Sequence, residues 1–418
     1  EEFSRNLEEN PPDVLGISVI TNEYSQSGII AAEVAKKINP KIKTVAGGVS
    51  AISYPKPFIE SSDVDFIVRG EGEYAFRDLC NFLSGDGAFP EKGVLSKGEG
   101  KVIGSGKVDF IEDLDKLPLP AYHLVDYKKY TNRGPRETAD RARAMPYARI
   151  ITSRGCPHSC CFCEVGSISG RKPRFRSLDN ITKEIEWLIE RYGIKGLSFD
   201  DDNLITNRRR AKNLFKTMID RKYSLKWNDS ATAIFNLDDE MLDLMKESGC
   251  QYLSVAIESG NKRVLKDIIH KPVNLGRVKE TIRKIKERDI DLAANFIIGF
   301  PGETWEEMRE TLRFAEEIEV DYARIFIATP LPNTELYRKA KEGGYLKVGF
   351  DFNRHLWTEG WIQTPEFRYQ DLRILRAYEW DRINFSTPEK RRKIADMFGV
   401  SEERLEEMRK QTLKYANP

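Results

Sequence analysis

The sequence of 418 residues lacks long apolar runs and an excess of either charge, and it has few cysteines. No apolar run approaches the ~18–20 residues that a membrane-spanning helix needs. The acidic start at Glu1-Glu2 is unlike a signal or transit peptide, so we expect a cytoplasmic protein without a membrane span. The 67 Lys and Arg residues balance 66 Asp and Glu residues, a net charge of +1. That balance excludes a nucleic-acid binder that relies on bulk positive charge.

Cysteine is scarce and clustered, because four of the six cysteines lie within residues 156–163. Disulfide frameworks spread their cysteines through small secreted domains, so this cluster predicts metal ligation instead. Cys156, Cys160 and Cys163 follow an x3, x2 spacing on one tight loop. Three ligands suit a four-iron cluster whose fourth iron keeps an open position. A structural zinc site would instead recruit Cys161 or His158 as a fourth ligand.

The first 84 residues alternate between strand-like and helix-like segments. Buried strands are predicted at residues 14–20, 44–46 and 65–68. The pattern is that of a doubly wound, Rossmann-like α/β domain, in which turns at the carboxyl ends of strands bind ligands. Such sheets have about five strands or more, so we expect an opening β-α-β unit ahead of Glu1.

A second, longer alternation of six βα units covers residues 148–334, after a linker with a small hairpin at 85–147. Its strands are predicted at residues 148–153, 196–201, 226–232, 252–258, 292–299 and 322–330. Six sequential parallel strands predict a partial (β/α)6 barrel of the TIM type, whose ligands lie at the carboxyl ends of the strands. Residues 335–418 are expected to form a helical C-terminal extension.

The cysteine loop follows the first predicted barrel strand and carries an aromatic residue, Phe162, before its last cysteine. Further motifs follow in order: Ser198-Phe199-Asp200-Asp201-Asp202-Asn203, Ala256-Ile257-Glu258-Ser259-Gly260, Ile298-Gly299-Phe300-Pro301-Gly302-Glu303 and Thr329-Pro330-Leu331-Pro332-Asn333-Thr334. On these residues the chain resembles the radical S-adenosylmethionine superfamily. The region before the linker is similar to the cobalamin-binding domain of one large subclass, the class B methyltransferase-like enzymes.

The resemblance implies a [4Fe–4S] cluster on Cys156, Cys160 and Cys163. It also implies an S-adenosylmethionine site formed by Phe162, Asp201, Asp202, Glu258, Ser259, Asn295, Gly299 and Phe300. Asp201 or Asp202 would bind the ammonium group, or else cap a helix. Glu258, with Ser259 beside it, would bind the ribose hydroxyls, or else form a buried ion pair. The turn at Gly299-Phe300 would approach the adenine, or else be a plain tight turn.

For cobalamin, the resemblance implies a site at the carboxyl ends of the N-terminal strands. Its expected residues are Ser18, Thr21, Asn22, Gly47, Gly48, Val49, Gly70, Glu71, Gly72 and Glu73. Generic Rossmann turns are the alternative interpretation of these glycines. Base-off cobalamin proteins often carry an Asp-x-His-x-x-Gly loop that ligates cobalt from below, and none of the four histidines lies in the first 84 residues.

The implied activity is C-methylation of an unactivated carbon through a 5′-deoxyadenosyl radical and methylcobalamin. A cyclase, oxidase or rearrangement enzyme with the same cofactors is the nearest alternative, and a non-catalytic metal- or cobalamin-binding module is a third. A small molecule, a lipid and a peptide or protein side chain all remain open as substrates. An electron donor such as flavodoxin or ferredoxin is an expected partner.

Overall fold

The computed structural model describes residues 2–98, 101–104, 108–131, 144–354 and 359–416. The N-terminal part contains five helices and five strands within these residues. They are α1 (Glu2–Glu9), β1 (Val14–Ser18), α2 (Ser25–Ile38), β2 (Lys43–Gly47), α3 (Val49–Ser53), α4 (Lys56–Glu60), β3 (Phe66–Val68), α5 (Gly72–Ser84), β4 (Val94–Gly98) and β5 (Lys101–Ile103). One further short helix, α6 (Lys128–Thr131), precedes the second sheet.

The N-terminal strands form one sheet in the order β1-β2-β3-β4-β5, with the first three strands parallel. Successive residues point to opposite faces, so Ala46 and Ile67 pack against α2 and α4, whereas Val45 and Phe66 pack against α5. Helices on both faces confirm the predicted Rossmann-like architecture. The predicted hairpin is the antiparallel pair β4–β5, and it extends this sheet beyond residue 84. The domain boundaries at 84, 147 and 334 stay predictions.

The second part begins with the strands that surround the cysteine loop and continues as five βα repeats. Its elements are β6 (Tyr147–Ile150), β7 (Ser153–Arg154), α7 (Val165–Ile168), β8 (Arg174–Phe175), α8 (Leu178–Tyr192), β9 (Gly196–Phe199), α9 (Arg208–Asp220), β10 (Lys226–Thr232), α10 (Asp239–Glu247), β11 (Cys250–Glu258), α11 (Leu275–Glu287), β12 (Asp291–Ile298), α12 (Trp305–Glu317) and β13 (Tyr322–Ile327). A π-helix at Val264–Ile269 follows β11.

Six of these strands form a parallel sheet in chain order, β6-β9-β10-β11-β12-β13. This order is the predicted (β/α)6 barrel, and each strand lies within three residues of its predicted bounds. The predicted first strand ends early, at Ile150, because the side chains of Thr152 and Ser153 bond to Asp201 and the chain turns into β7.

The C-terminal helices are α13 (Glu335–Glu342), α14 (Tyr369–Phe385), α15 (Pro388–Phe398) and α16 (Glu402–Ala416). Helix α14 covers the edge strand β13. Asn384 accepts from the backbone N of Ala323 and donates to its O, each at 2.8 Å, and Arg376 Nε donates to Ile325 O at 2.9 Å. These contacts satisfy backbone groups that an uncovered edge would leave unpaired. Among the described residues, no helix is long and apolar enough to cross a membrane.

Candidate functional site

The cysteine loop is closed at its base by the antiparallel pair β7–β8. Cys156 N donates to Gly170 O at 3.2 Å, and Cys163 N donates to Cys160 O at 3.1 Å. Gly155 has φ +91°, and an added Cβ would lie 2.8 Å from Lys172 O, so only glycine fits where the loop leaves β7. The loop therefore has a fixed backbone next to the carboxyl end of the barrel.

The three predicted ligands share one partly buried environment. Burial, and after it the neighbouring thiols of Cys160 and Cys156, raise the pKa of the Cys163 thiol to about 11. Burial also raises the pKa of Cys160, whereas the ammonium of Lys271 opposes that rise. Bound iron would remove the cost of holding these thiols as thiolates. Among the described residues, no three His, Cys, Asp or Glu side chains are placed to share a single ion.

Cys161 faces a different environment from its neighbours. Its side chain is 3% exposed within the main core, and its backbone is bonded on both sides, N to Ile269 O at 3.1 Å and O to Leu336 N at 2.9 Å. His158 packs its ring edge against Phe235. A zinc site with Cys161 as the fourth ligand would need this packing to break, so the donor set fits a cluster on three cysteines better.

Three consecutive carboxylates at the end of β9 have three different surroundings. Asp200 pairs with Arg149. Asp201 is buried and accepts from Thr152 N at 3.1 Å and Thr152 Oγ1 at 2.8 Å, so it ties β9 to the end of β6. Asp202 accepts from Gly155 N at 2.7 Å, beside the cysteine loop. Of the two predicted ammonium ligands, Asp202 lines the cofactor cavity described below. Asp201 does not line it, because its carboxylate is bonded to Thr152.

Glu258, at the end of β11, takes part in the buried ion pair that was the alternative to ribose binding. Lys271 Nζ donates to its Oε1 at 2.6 Å, and both side chains are less than 10% exposed. The Glu258 backbone has φ +73°, a strained conformation for a residue with a side chain. Ser259 is fully buried and bonds to Thr311 of α12 at 2.9 Å, so it faces the helix layer. Ribose binding by Ser259 stays a prediction that this packing does not favour.

The end of β12 places the remaining predicted adenosylmethionine residues. Asn295 points inward and bonds to Ser254 at 3.2 Å. Gly299 has φ +89°, and the ring of Phe300 lies 6.1 Å from that of Phe162. Glu303 Oε2 accepts from the backbone N of Gly299 at 2.7 Å and of Phe300 at 3.0 Å. Glu303 thus fixes this turn, a role that the motif alone did not reveal.

A cavity of about 770 Å³ lies between the N-terminal sheet and the carboxyl end of the barrel. From the N-terminal side it is lined by seven predicted cobalamin residues: Ser18, Gly47, Gly48, Gly70, Glu71, Gly72 and Glu73. From the barrel side it is lined by Ile151, Ser153, Arg154, Ile168, Ser169, Asp200 and Asp202. Thr21, Asn22 and Val49 do not line it. Asn22 instead bonds to Ser25 and Ser53 within the N-terminal domain.

The glycines of this cavity test whether a bulky ligand fits. Gly48 and Gly70 have φ of +83° and +100°, so backbone conformation alone accounts for them. Gly47 has no such φ, and an added Cβ would meet only Val68 Cβ, at 3.9 Å. Neither backbone strain nor packing among the described residues requires glycine there, whereas close approach of a ligand would. The lining therefore fits a cofactor that lies against the strand ends.

The Glu71 carboxylate binds another part of the chain. Arg174 of β8 donates to both of its oxygens at 2.7 Å, and the two side chains are 3% and 7% exposed. Arg174 also donates to Ile111 O and Ser169 O. Next to this pair, Arg154 binds Glu73 at 2.6 Å. Sequence reasoning missed Arg174, Arg154 and Lys271, because single basic residues far from their partners carry no local signal.

Comparisons with known proteins agree with this arrangement. The Radical SAM superfamily model matches residues 150–315, and the B12 binding domain model matches residues 1–80. An uncharacterized methyltransferase of Pyrococcus horikoshii is 31% identical over 343 residues, which cover 81% of this chain and 72% of that protein. The chain belongs to the cobalamin-dependent radical S-adenosylmethionine enzymes. As a member of that family it is an enzyme, and its cofactors are a [4Fe–4S] cluster, S-adenosylmethionine and cobalamin.

Two further relatives of this radical S-adenosylmethionine enzyme have different names. Cytidylyl-2-hydroxyethylphosphonate methyltransferase of Streptomyces wedmorensis is 30% identical, covering 87% of this chain and 73% of the relative. An anaerobic magnesium-protoporphyrin IX monomethyl ester cyclase of Rubrivivax gelatinosus is 27% identical, covering 82% of this chain and 60% of the relative. The structure of TsrM from Kitasatospora setae with cobalamin and a [4Fe–4S] cluster bound has a TM-score of 0.67 at 18% identity. The match covers 83% of this chain and 70% of that one. That likeness shows the fold.

Proposed function

We propose that this enzyme transfers a methyl group to a substrate carbon that lacks nucleophilic character, with electrons from flavodoxin or ferredoxin. The observation that carries the proposal is the shared cavity. One wall contains Ser18 and Gly47, at the carboxyl ends of the N-terminal strands. The opposite wall contains the barrel residues Ser153 and Asp202. When bound, the cluster supplies the electron that cleaves S-adenosylmethionine, and cobalamin supplies the methyl group. The protein supplies the alignment.

The proposed residue roles follow from position. Cys156, Cys160 and Cys163 would hold the cluster, and Asp202, held by Gly155 N, would accept the ammonium group of S-adenosylmethionine. Glu258 would receive a ribose hydroxyl on Oε2, because Lys271 bonds only to Oε1. Asn295 with the turn at 299–300 would bound the adenine.

On the other wall, the cobalamin site would comprise Ser18, Gly47 and the glycines of the turn at 70–72. The Glu71 carboxylate already binds Arg174, so its proposed contribution is to fix that turn.

A cyclisation without methyl transfer is the second candidate, because the relative named as a cyclase is 27% identical over 352 residues, which cover 82% of this chain. The two reactions differ in what becomes of S-adenosylmethionine. Radical chemistry alone forms 5′-deoxyadenosine, whereas methyl transfer also consumes S-adenosylmethionine as a methyl donor and forms S-adenosylhomocysteine.

The test uses the anaerobically reconstituted holoenzyme without substrate. Titanium(III) citrate is the reductant, and both nucleoside products are measured by mass spectrometry. We expect S-adenosylhomocysteine in about one equivalent per bound cobalamin, and none from enzyme that lacks cobalamin. Formation of 5′-deoxyadenosine with no S-adenosylhomocysteine under any reductant would overturn methyl transfer and favour the cyclase candidate.

A further inference from the structure

A second cavity, of about 740 Å³, lies along the edge strand β6. One wall is the segment Leu114 to Tyr122, and the other is formed by residues 149–151 with Arg176, Asn180 and Glu184. Glu73, Ile151 and Arg154 line both this cavity and the cofactor cavity. The two cavities are therefore adjacent, with these three residues between them. No residue role assigned so far requires this space.

Much of the lining is apolar surface that the described residues leave uncovered. Leu117 and Leu119 are only half-buried, and Pro118, Pro120 and Ala121 between and after them are exposed. Ile151 on the opposite wall is 42% exposed. Concave apolar surface of this size is typical of small-molecule sites. Removal of this surface from water would favour the binding of an apolar ligand.

Cations outnumber carboxylates among the ionisable side chains of the lining. Five are cations and two are carboxylates: Arg77, Lys116, Arg149, Arg154 and Arg176 against Glu73 and Glu184. Both carboxylates already have cationic partners in the lining, because Glu184 binds Arg176 and Glu73 binds Arg154. The other three cations pair with Asp78, Asp113 and Asp200, which are not part of this lining. These aspartates offset the excess of lining cations, 5 − 2 = 3. Exposed ion pairs are weak, and Lys116 is 74% exposed and 3.9 Å from Asp113, so a ligand anion can replace this aspartate.

We infer that this cavity binds the substrate, and that the substrate is an amphiphile with an apolar body and an anionic group such as a carboxylate or phosphate. The apolar body would lie on Leu117 and Leu119, and the anionic group near Lys116 and Arg77. The reacting carbon would extend past Ile151 into the cofactor cavity. The identification of this ligand as substrate rests on the proposed function, whereas its binding does not.

The test measures binding of decanoate and decyl phosphate to the holoenzyme by equilibrium dialysis at 20 mM and 500 mM NaCl. Decanol and acetate are the comparison ligands, because each keeps only one half of the chemistry. We expect both anionic amphiphiles to bind at least ten-fold more tightly than decanol or acetate at low salt. Equal binding of decanol would overturn the anionic part of the inference, and equal binding of acetate the apolar part.

Lys116→Glu and Leu119→Ala test the location. Lys116→Glu should weaken decanoate binding by roughly three- to ten-fold at 20 mM NaCl and less at 500 mM, because salt screens exposed charges. Lys129→Glu is the matched control. Lys129 is 80% exposed against 74% for Lys116, and it has the same i,i+3 pairing with an aspartate, but it does not line the cavity. If Lys116→Glu and Lys129→Glu weaken decanoate binding equally, the ligand does not bind in this cavity.

Leu119→Ala should weaken decanoate binding by roughly five-fold through lost apolar contact. Leu124→Ala is its control, since Leu124 is 76% exposed and outside the lining. If the wild-type holoenzyme fails to bind decanoate but still forms S-adenosylhomocysteine, this inference is overturned and the proposed methyl transfer is not. The reverse result, binding without S-adenosylhomocysteine, would overturn methyl transfer and leave the ligand class standing.

Discussion

Cys160 and Cys161 are neighbours in the chain, but their side chains lie in different surroundings. The Cys160 thiol is close to Lys271, Glu258 and Cys156, whereas Cys161 is packed in the main core. Adjacent side chains on a tight loop diverge, so one faces the barrel mouth and the other the interior. The role of a cysteine in this loop therefore depends on where its side chain points as well as on its residue type.

Replacing single cysteines tests this division. Cys160→Ala should remove the cluster and abolish 5′-deoxyadenosine formation, because three thiolates are the minimum for a cluster with one open iron. Cys161→Ala should keep the cluster and lower the free energy of unfolding by about 1–2 kcal/mol through lost packing. Iron and sulfide content, 5′-deoxyadenosine and corrinoid absorbance are measured on both variants. A cluster that survives loss of Cys160 but not of Cys161 would contradict the ligand assignment.

Glu303 predicts a pH dependence of stability. Burial raises its pKa from 4.5 to about 8, although two backbone N–H groups favour the carboxylate. The folded protein then keeps a proton that the unfolded chain releases. Stability from this group is fully present below about pH 4.5 and is lost as the pH rises through about 8. Between pH 5 and 8, wild type should lose up to about 1.4 kcal/mol per pH unit relative to Glu303→Gln.

Denaturant unfolding of the two proteins at several pH values provides this measurement. Glu306→Gln is the control on the same helix, because Glu306 is 62% exposed and its pKa is lowered by Arg313. It should follow the wild-type curve from pH 5 to 9. Parallel curves for wild type and Glu303→Gln would show that Glu303 is ionised throughout this range.

At the scale of elements, the carboxyl ends of β1, β2 and β3 form the wall of the cofactor cavity. Parallel strands bring their carboxyl ends to the same edge, so short polar and glycine turns from distant parts of the chain meet there. Gly47 is the last residue of β2, and among the described residues outside its immediate chain neighbours only Val68 has an atom within 4 Å of an added Cβ. Its glycine is explained by the cavity rather than by the strand.

Gly47→Val should therefore separate cofactor binding from folding. Valine suits a strand, so the free energy of unfolding of the cofactor-free protein should stay within about 1 kcal/mol of wild type. Cobalamin affinity, measured by absorbance titration, should fall ten-fold or more because the side chain enters the cavity. Gly87→Val is the control in an exposed loop outside the cavity. Unchanged cobalamin affinity in Gly47→Val would show that the cofactor lies elsewhere.

At the scale of the whole molecule, the buried pair of Glu71 and Arg174 joins the N-terminal sheet to the base of the cysteine loop. Its residues are 103 positions apart, and Arg174 also bonds to the linker at Ile111 O. A second contact joins the two parts at Asn333, whose amide donates to Ser53 O at 2.9 Å. These bonds set the separation of the two cofactor walls.

Arg174→Ala should destabilise the protein by about 3 kcal/mol, because the buried Glu71 carboxylate loses both of its close guanidinium bonds and keeps only Arg154, at 3.5 Å. The midpoint of thermal unfolding and the cobalamin dissociation constant are measured together. The double variant Glu71→Gln with Arg174→Met should recover much of the midpoint, since no uncompensated charge remains. Lys172→Ala is the matched control, because it breaks an exposed pair between the cysteine loop and the linker, Lys172 with Glu112. Equal effects of Arg174→Ala and Lys172→Ala would contradict the role of burial.

The sequence by itself determined the features that depend on local spacing. Strand and helix periods located the six barrel strands to within three residues, and the interval between Cys156 and Cys163 indicated the cluster loop. The hairpin at 94–103 was expected in the linker, but only strand pairing could show that β4 joins β3. Local patterns do not encode which partner an edge strand selects.

Tertiary structure alone decided the role of each polar side chain at the site. Asp200, Asp201 and Asp202 follow one another in the sequence, yet Asp200 pairs with Arg149, Asp201 ties two strands together and Asp202 accepts from Gly155 N beside the cysteine loop. Glu71 is an expected cobalamin residue whose carboxylate binds Arg174, and Glu258 is an expected ribose ligand whose carboxylate binds Lys271. Such partners are fixed by sheet register and domain packing, which bring together residues far apart in the chain and therefore leave no signal in its local pattern.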